Sequence, residues 1–380
     1  MLVLERQRFP RWSIGESLLP HCMDFVAEAG MLEAIDAAGF QFKNGAAFAR
    51  GDFYSDIDFG DKFSPGRDST YQVPRDAFDK LLADEAAAQG VEIRYEVEIA
   101  AVDVAARRPR VVARSADGDT REIEADFVLD ASGFGRTLPR LLGLEKPSAF
   151  PVRHALATQV VDGIPEGALD RSKIRVTIHP LHSDVWFWLI PLSAERCSLG
   201  VVARPEFLAA YAGTPEDKLR QMLGEDAVLS ALLARADWDT PVRALGGYSA
   251  DVHAMHGRGF ALLGNAAEFL DPVFSSGITI AMRSASMAAG VLDRQLSGER
   301  VDWEHEFALP LRQGVNTFRA YVDAWYDGRF LDIVLSPRRP PEICRMLNSI
   351  LAGYAWDPEN PFATDPQRRL TVLAQICRAA

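Results

Sequence analysis

Hydrophobic and polar positions in this chain alternate with two periods, one of strands and one of helices. Met1 to Glu5 (MLVLE) is a short apolar run ending in an acid, the pattern of a strand whose last carboxylate points out of a sheet. A loop rich in arginine, phenylalanine and proline follows (RQRFPRWSIGES). Leu18, Leu19, Met23, Phe25, Val26, Leu32 and Ile35 then fall at helical spacing, which predicts a helix over 17–37. Residues 75–89 (RDAFDKLLADEAAAQ) predict a second amphipathic helix, stopped by Gly90. VEIRYEVEIAAVDV alternates as a strand does, and PRVVARSADGDTREIEADFVLDASG predicts a hairpin turning at Asp117-Gly118.

Further along, IRVTIHPL, VWFWLIPLS and CSLGVVAR predict antiparallel strands within 174–204. GRGFALLGNAA is a buried strand, followed by a glycine-containing turn and a long helix from about Ser276 to Leu296. Residues 302–380 are mostly helical, with proline-rich breaks at 337–341 and 358–361. Strand–helix units thus stand at both ends of residues 1–300, with antiparallel strands between them. That predicts an α/β nucleotide-binding domain over 1–300 with a substrate sheet inserted at roughly 150–250, and a helical C-terminal region over 301–380.

Composition narrows the classes without choosing among them. The 380 residues are 48% hydrophobic and 25% charged, enough for a large core. The formal charge of −12 disfavours a nucleic-acid partner. No apolar run reaches the roughly 18 residues of a membrane helix, and no signal peptide is visible. Cys22, Cys197, Cys344 and Cys377 lie far apart, which argues against a zinc site or disulfide framework; no metal is expected, and a reducing cytoplasm is.

The candidate chemistry sits at strand ends. Glu5 ends the first strand, where an acid suits the ribose hydroxyls of an adenosine nucleotide; a solvated loop acid is the plainer alternative. FVLDASGFG and FALLGNAAEFLDP both end in small residues, which let a ligand approach the backbone. The second feeds a helix N-terminus, whose N–H groups and dipole suit an anion. A pair of tight strand-to-helix turns is the alternative reading.

Glu5, the turn Asp130-Ala131-Ser132-Gly133 and the segment Gly264 to Asp271 resemble the FAD-contact segments of glutathione-reductase-type flavoproteins. Arg75 in VPRDAFD resembles the arginine that opens a helix beside the cofactor in that family. Two motifs narrow the resemblance. WFWLIP (186–191) matches the W-x-W-x-I-P signature of flavin-dependent halogenases, and FLDPVFSSG (269–277) matches their F-x-x-P-x-x-S-x-G signature. The resemblance spans nearly the whole chain, including WYDGRF (325–330) and SILAGYAWDPENPF (349–362), which look like the family's segments over the substrate.

The resemblance implies a glutathione-reductase-type FAD fold. It implies FAD contacts at Glu5, Glu16, Ser17, Arg75, Asp130, Ser132, Gly133, Gly264, Asp271, Pro272, Gly277 and Ile278, and a halide site at Ser276 and Gly277. Lys43, in GFQFKNGAAF, follows the Gly15-Glu16-Ser17 segment at a distance compatible with the family's essential lysine; by residue pattern alone it reads as a surface lysine. Trp186 and Trp188 would stand between flavin and substrate and block direct oxygen transfer. The implied reaction takes FADH2 from a separate flavin reductase, adds O2 to form a flavin hydroperoxide, oxidises halide to hypohalous acid, and passes the halogen through Lys43 to an electron-rich ring.

Tryptophan halogenases place a glutamate where this chain has Phe274. A phenolic or pyrrole-like ring, free or on a carrier protein, is therefore expected over free tryptophan. His154, His179, His182 and Glu98 are candidate substrate bases by residue type alone. The family's opening G-x-G-x-x-G turn is not found, so the chain reads as beginning at the family's second strand, with two sheet edges left open. A monooxygenase or dehydrogenase of the same superfamily, or a catalytically silent homologue, remains the alternative.

Overall fold

The computed structural model describes residues 1–379. Its α/β architecture is the one expected, built from short parallel strand pairs, a large sheet and a helical C-terminal part. Leu2–Glu5 pairs in parallel with Glu92–Tyr95, and Val128–Asp130 pairs in parallel with Phe260–Leu262. Among the described residues these two pairs share no ladder, and Leu2–Glu5 and Val128–Asp130 each have one strand partner.

The large sheet has seven strands in the order Arg243–Gly246, His154–Val161, Arg196–Ala203, Trp186–Pro191, Lys173–Ile178, Gly45–Arg50, Phe53–Asp58, the last two from outside residues 150–250. It is mixed where an antiparallel sheet was expected: Gly45–Arg50 joins Lys173–Ile178 in parallel. The strand GAAFAR escaped the sequence reading because its alanines carry no β-branched signal. Period-2 alternation splits WFWLIP between two cores. Trp186, Trp188 and Ile190 face the main core, and Phe187 and Leu189 face a smaller one with Leu219 and Met222. With both faces covered, the strand reads as one unbroken apolar run.

Two further expectations change. The helix predicted over 17–37 is two helices, Cys22–Glu28 and Leu32–Ala37, because Gly30 takes a left-handed conformation (φ 71°) just past the first. The strand predicted over VEIRYEVEIAAVDV breaks into Glu92–Tyr95 and Val97–Asp103 at Glu96 (φ 61°). The helix Arg75–Ala88, the hairpin Arg110–Ser115/Thr120–Glu124 and the helix Ser276–Leu296 form where expected. Pro341 and Pro361 open the helices Pro341–Leu351 and Pro361–Thr364 at the expected breaks. No helix among the described residues is long and apolar enough to cross a membrane.

Candidate active site

The segment Gly15-Glu16-Ser17 is the hub of the site. It runs beside Thr70–Gln72, with an isolated bridge from Ser17 to Gln72 and the Val73 amide donating to the Glu16 carbonyl at 2.7 Å. Arg75 opens its helix and donates from Nη1 to the Ile14 carbonyl at 2.6 Å while its other nitrogens hold Asp79. The guanidinium fills the space against Gly15, where a Cβ would stand 2.9 Å from Nη1. Arg75 thus fixes the bend that presents Glu16.

Glu16 is buried. It accepts from Gln159 Nε2 at 3.2 Å and from Ser198 Oγ at 3.0 Å, and Ser198 in turn accepts from Trp188 Nε1 at 3.2 Å. Burial pushes the Glu16 carboxyl up to about 7, against the pull of those hydrogen bonds. Because the folded value lies above the unfolded 4.5, Glu16 costs nothing in acid, and its cost builds as pH rises from about 4.5 through about 7. Glu16→Gln is therefore expected to match the wild type in urea melts at pH 4 and to exceed it at pH 8, by no more than about 3 kcal/mol. A constant difference across that range would contradict the assignment.

A matching chain starts at the other indole. Trp186 Nε1 donates to Tyr326 OH at 3.1 Å, and Tyr326 donates to Asp271 Oδ2 at 2.8 Å. The second oxygen of Asp271 caps the following turn through Val273 N–H at 3.0 Å. Asp271 is buried and its carboxyl is pushed up to about 6 by desolvation. The indole rings lie 6.0 Å apart, so each of the two tryptophans ends in its own buried carboxylate. Phe274 packs between Tyr321, Trp325 and Phe330 in an aromatic wall.

Lys43 is not at the surface. It is 1% exposed, its Nζ donates to the Leu18 carbonyl at 2.6 Å and stands 5.2 Å from the centre of the Phe59 ring, and no carboxylate pairs with it among the described residues. Desolvation brings its ammonium down to about 7, with Cys22 the charge partner acting against it. Cys22 is held by Thr279 Oγ1 at 3.0 Å, which ties the Lys43 corner to the start of the helix Ser276–Leu296. That helix begins after Ser275 in left-handed conformation, with no side-chain cap, so the first amides at Ser276, Gly277 and Ile278 have no intrahelical acceptor. They suit an anion.

The remaining expected residues lie along the strand ends. Glu5 is half-buried and accepts from the Gln7 amide at 2.7 Å. Asp130 caps its own turn through Ser132 N–H at 2.8 Å and Leu138 N–H at 2.7 Å, and Ser132 Oγ accepts from Thr137 N–H. Gly133 and Gly264 are both left-handed; a Cβ at Gly264 would stand 2.7 Å from that of Ala281, so the turn packs directly on the long helix. Pro272 begins the short turn after Asp271. The structure thus joins Glu16, Asp271, Trp186 and Trp188 through two hydrogen-bond chains, and links Lys43 to the helix start near Ser276 through Leu18 and Cys22. Glu5 and Asp130 stand at the ends of the parallel strands.

None of the four candidate bases belongs to these chains. His179 pairs with Glu225 at 2.7 Å and stacks on Phe187 of the smaller core; the His182 ring lies tilted beside it. His154 lies against Gly246, and Glu98 pairs with Arg114 on an exposed hairpin. Sequence reading missed Ser198, Gln159 and Tyr326. The available signals were a lone serine in an apolar strand, opposite Ile190, and a tyrosine within WYDGRF.

The residues fit a flavin on two observations. The helix N-terminus is uncapped, and Ser17 Oγ and Thr70 Oγ1 are buried without partners beside the hub. Among the described residues no cluster suited to a metal ion is found.

Fold and site together define a flavoprotein oxidoreductase. A family model for tryptophan halogenase matches residues 60–328, and the chain belongs to that family. It is an enzyme of the flavin-dependent halogenase type. Among its relatives is the 1H-pyrrole-2-carbonyl-[peptidyl-carrier protein] chlorinase of Pseudomonas fluorescens, 28% identical over 91% of this chain and 82% of that protein. The corresponding brominase of Pseudoalteromonas luteoviolacea is 27% identical over 81% of this chain and 74% of that protein. A crystal structure described as a flavoprotein/dehydrogenase from Cytophaga hutchinsonii is 41% identical, with a TM-score of 0.96 over the whole of this chain and 92% of that one.

Proposed function

We propose that the protein halogenates an electron-rich aromatic ring, phenolic or pyrrole-like, and that Lys43 delivers the halogen. The observation that carries this reading is a buried lysine that pairs with no carboxylate among the described residues, its ammonium lowered by burial to about 7. FAD, delivered reduced by a separate flavin reductase, would supply with O2 the oxidising power that turns halide into hypohalous acid. Ser276 and Gly277 amides hold the halide, and Asp271 and Glu16 fix the two indoles that separate the oxidising side from the substrate side.

The free amine of Lys43 attacks the halogen of hypohalous acid. An N–halogen bond forms, the O–halogen bond breaks, and water leaves with the displaced proton. The ring then takes the halogen, loses its proton, and returns the amine. Burial serves this step twice: it frees the lone pair and keeps bulk water from the oxidant.

The test is a reconstitution with FAD, a flavin reductase, a phenol or a pyrrole, and chloride or bromide. Halogenated product that requires halide supports the reading; hydroxylated or dehydrogenated product formed without halide sinks it. Hydroxylated product would favour a monooxygenase, and dehydrogenated product a dehydrogenase, the reading suggested by the 41% identity to the Cytophaga flavoprotein/dehydrogenase.

A further inference from the structure

We propose that Arg153 and Tyr248 form an anion subsite beside Asp271 and Trp186, and that it takes the carboxylate of an aromatic acid. Calling that acid the substrate rests on the halogenase reading above; the subsite itself does not.

Arg153 is 3% exposed, yet among the described residues it has no ion pair and no side-chain hydrogen bond, and its Nε is buried without a partner. Its guanidinium carbon lies 3.3 Å from the centre of the Tyr326 ring. Tyr248 is also buried, and its hydroxyl has no partner. The two side chains come from one end of the large sheet. Arg153 precedes the strand His154–Val161, Tyr248 follows the paired strand Arg243–Gly246, and the Gly247 amide donates to the Arg153 carbonyl at 3.2 Å.

A buried cation is strongly unfavourable without a counter-charge. Asp271 is the carboxylate near both groups and its charge is felt by Arg153, but no hydrogen bond or ion pair joins the two; its oxygens accept from Val273 N–H and Tyr326 OH. Three donor groups are therefore left over: the two ends of a planar guanidinium fork and a phenol. That set matches the paired oxygens of a carboxylate better than a single-atom halide, for which the helix start at Ser276 is proposed above. Tyr326 connects the subsite to the site already described, since its ring underlies Arg153 while its hydroxyl bridges Trp186 and Asp271. A carboxylate held there places its aromatic ring within reach of the same tryptophan wall. A thioester on a carrier protein has no such charge, so the subsite selects a free acid.

The experiment is calorimetric titration of the FAD-loaded protein with 4-hydroxybenzoate and with its methyl ester, in buffer low in chloride. The acid is expected to bind at least about 10-fold more tightly than the ester, the size of one charge-assisted bond. Arg153→Met should reduce the acid to the ester's level, Arg153→Lys should restore part of the preference, and Tyr248→Phe should weaken the acid alone. Equal binding of acid and ester, no binding of the acid at millimolar concentration, or a preference that survives Arg153→Met overturns the subsite. So does loss of FAD affinity in Arg153→Met with the acid-to-ester ratio unchanged, because the arginine would then serve the flavin. Tyr248→Phe keeps the test open where the arginine variants do not fold. No turnover is read, so failure of halogenation leaves the subsite standing, and halogenation without acid preference removes the subsite alone.

Discussion

Lys43→Ala is expected to lower halogenated product by about 10²–10⁴-fold, the range in which a positioned proton-transfer or nucleophilic group acts, while oxidation of reduced flavin by O2 continues at the wild-type rate. The split between the two rates is the informative quantity. A lysine that only props up the fold would lower both together, through loss of folded protein. In the proposed reaction the amine must be unprotonated, so product formation at saturating halide should rise as pH passes about 7, the value to which burial lowers the Lys43 ammonium. Halogenation that survives Lys43→Ala would remove lysine from the reaction and return the choice to a dehydrogenase or a monooxygenase.

The same side chain makes an independent prediction on stability. The unfolded lysine holds its proton to about 10.5, whereas the folded one releases it near 7. Between those values the unfolded chain binds more protons, so wild-type stability rises with pH across that window, and below it the whole cost of burial is present. Lys43→Met, which keeps the length and drops the charge, should therefore be more stable than the wild type at pH 6.5, with the advantage shrinking toward pH 10. Urea melts at the two pH values measure this without any substrate. A variant equally affected at both would mean that the lysine is solvated.

Gly200→Ala carries the second large effect. Gly200 lies directly opposite Trp188 across the strand pair, and a Cβ there would overlap both the indole of Trp188 and the Leu156 carbonyl. Neither neighbour is the free end of a flexible chain, because Trp188 is pinned through Ser198 to Glu16. Overpacking of this kind costs about 3 kcal/mol or more when backbone is involved. A lowered thermal midpoint is expected, and tryptophan fluorescence should shift as the indole is displaced. Gly290→Ala is the internal contrast. That glycine sits within the helix Ser276–Leu296 with ordinary helical φ, and nothing lies within 4 Å of an added Cβ, so alanine should stabilise by about 1 kcal/mol. Equal responses at the two glycines would show that backbone propensity, and not the Trp188 contact, governs Gly200.

These predictions differ in how far the sequence foreshadowed them. The helix Ser276–Leu296 was legible because its helical period is unbroken, and the strand Trp186–Pro191 because its apolar run is short and ends in proline. The predicted helix over 17–37 was misread as one piece because apolar spacing continues across Gly30, and spacing alone does not report a left-handed residue. The alanine-rich strand Gly45–Arg50 was invisible for the opposite reason: its residues state no preference, and only pairing with Lys173–Ile178 makes it a strand.

By itself the sequence determined the family and the α/β class, because the motifs WFWLIP and FLDPVFSSG and the strand–helix order are local patterns that survive without coordinates. It also brought Lys43 into view only through resemblance, since a lysine among polar residues reads as exposed. Tertiary structure decided the rest. Burial of Lys43 depends on Leu18, Phe59 and Cys22, the partners of the two indoles come from residues 16, 198, 271 and 326, and Arg153 and Tyr248 flank the ends of two paired strands. Desolvation and hydrogen bonding act between residues far apart in the chain. A one-dimensional pattern therefore names the side chains, while three-dimensional packing sets their charge.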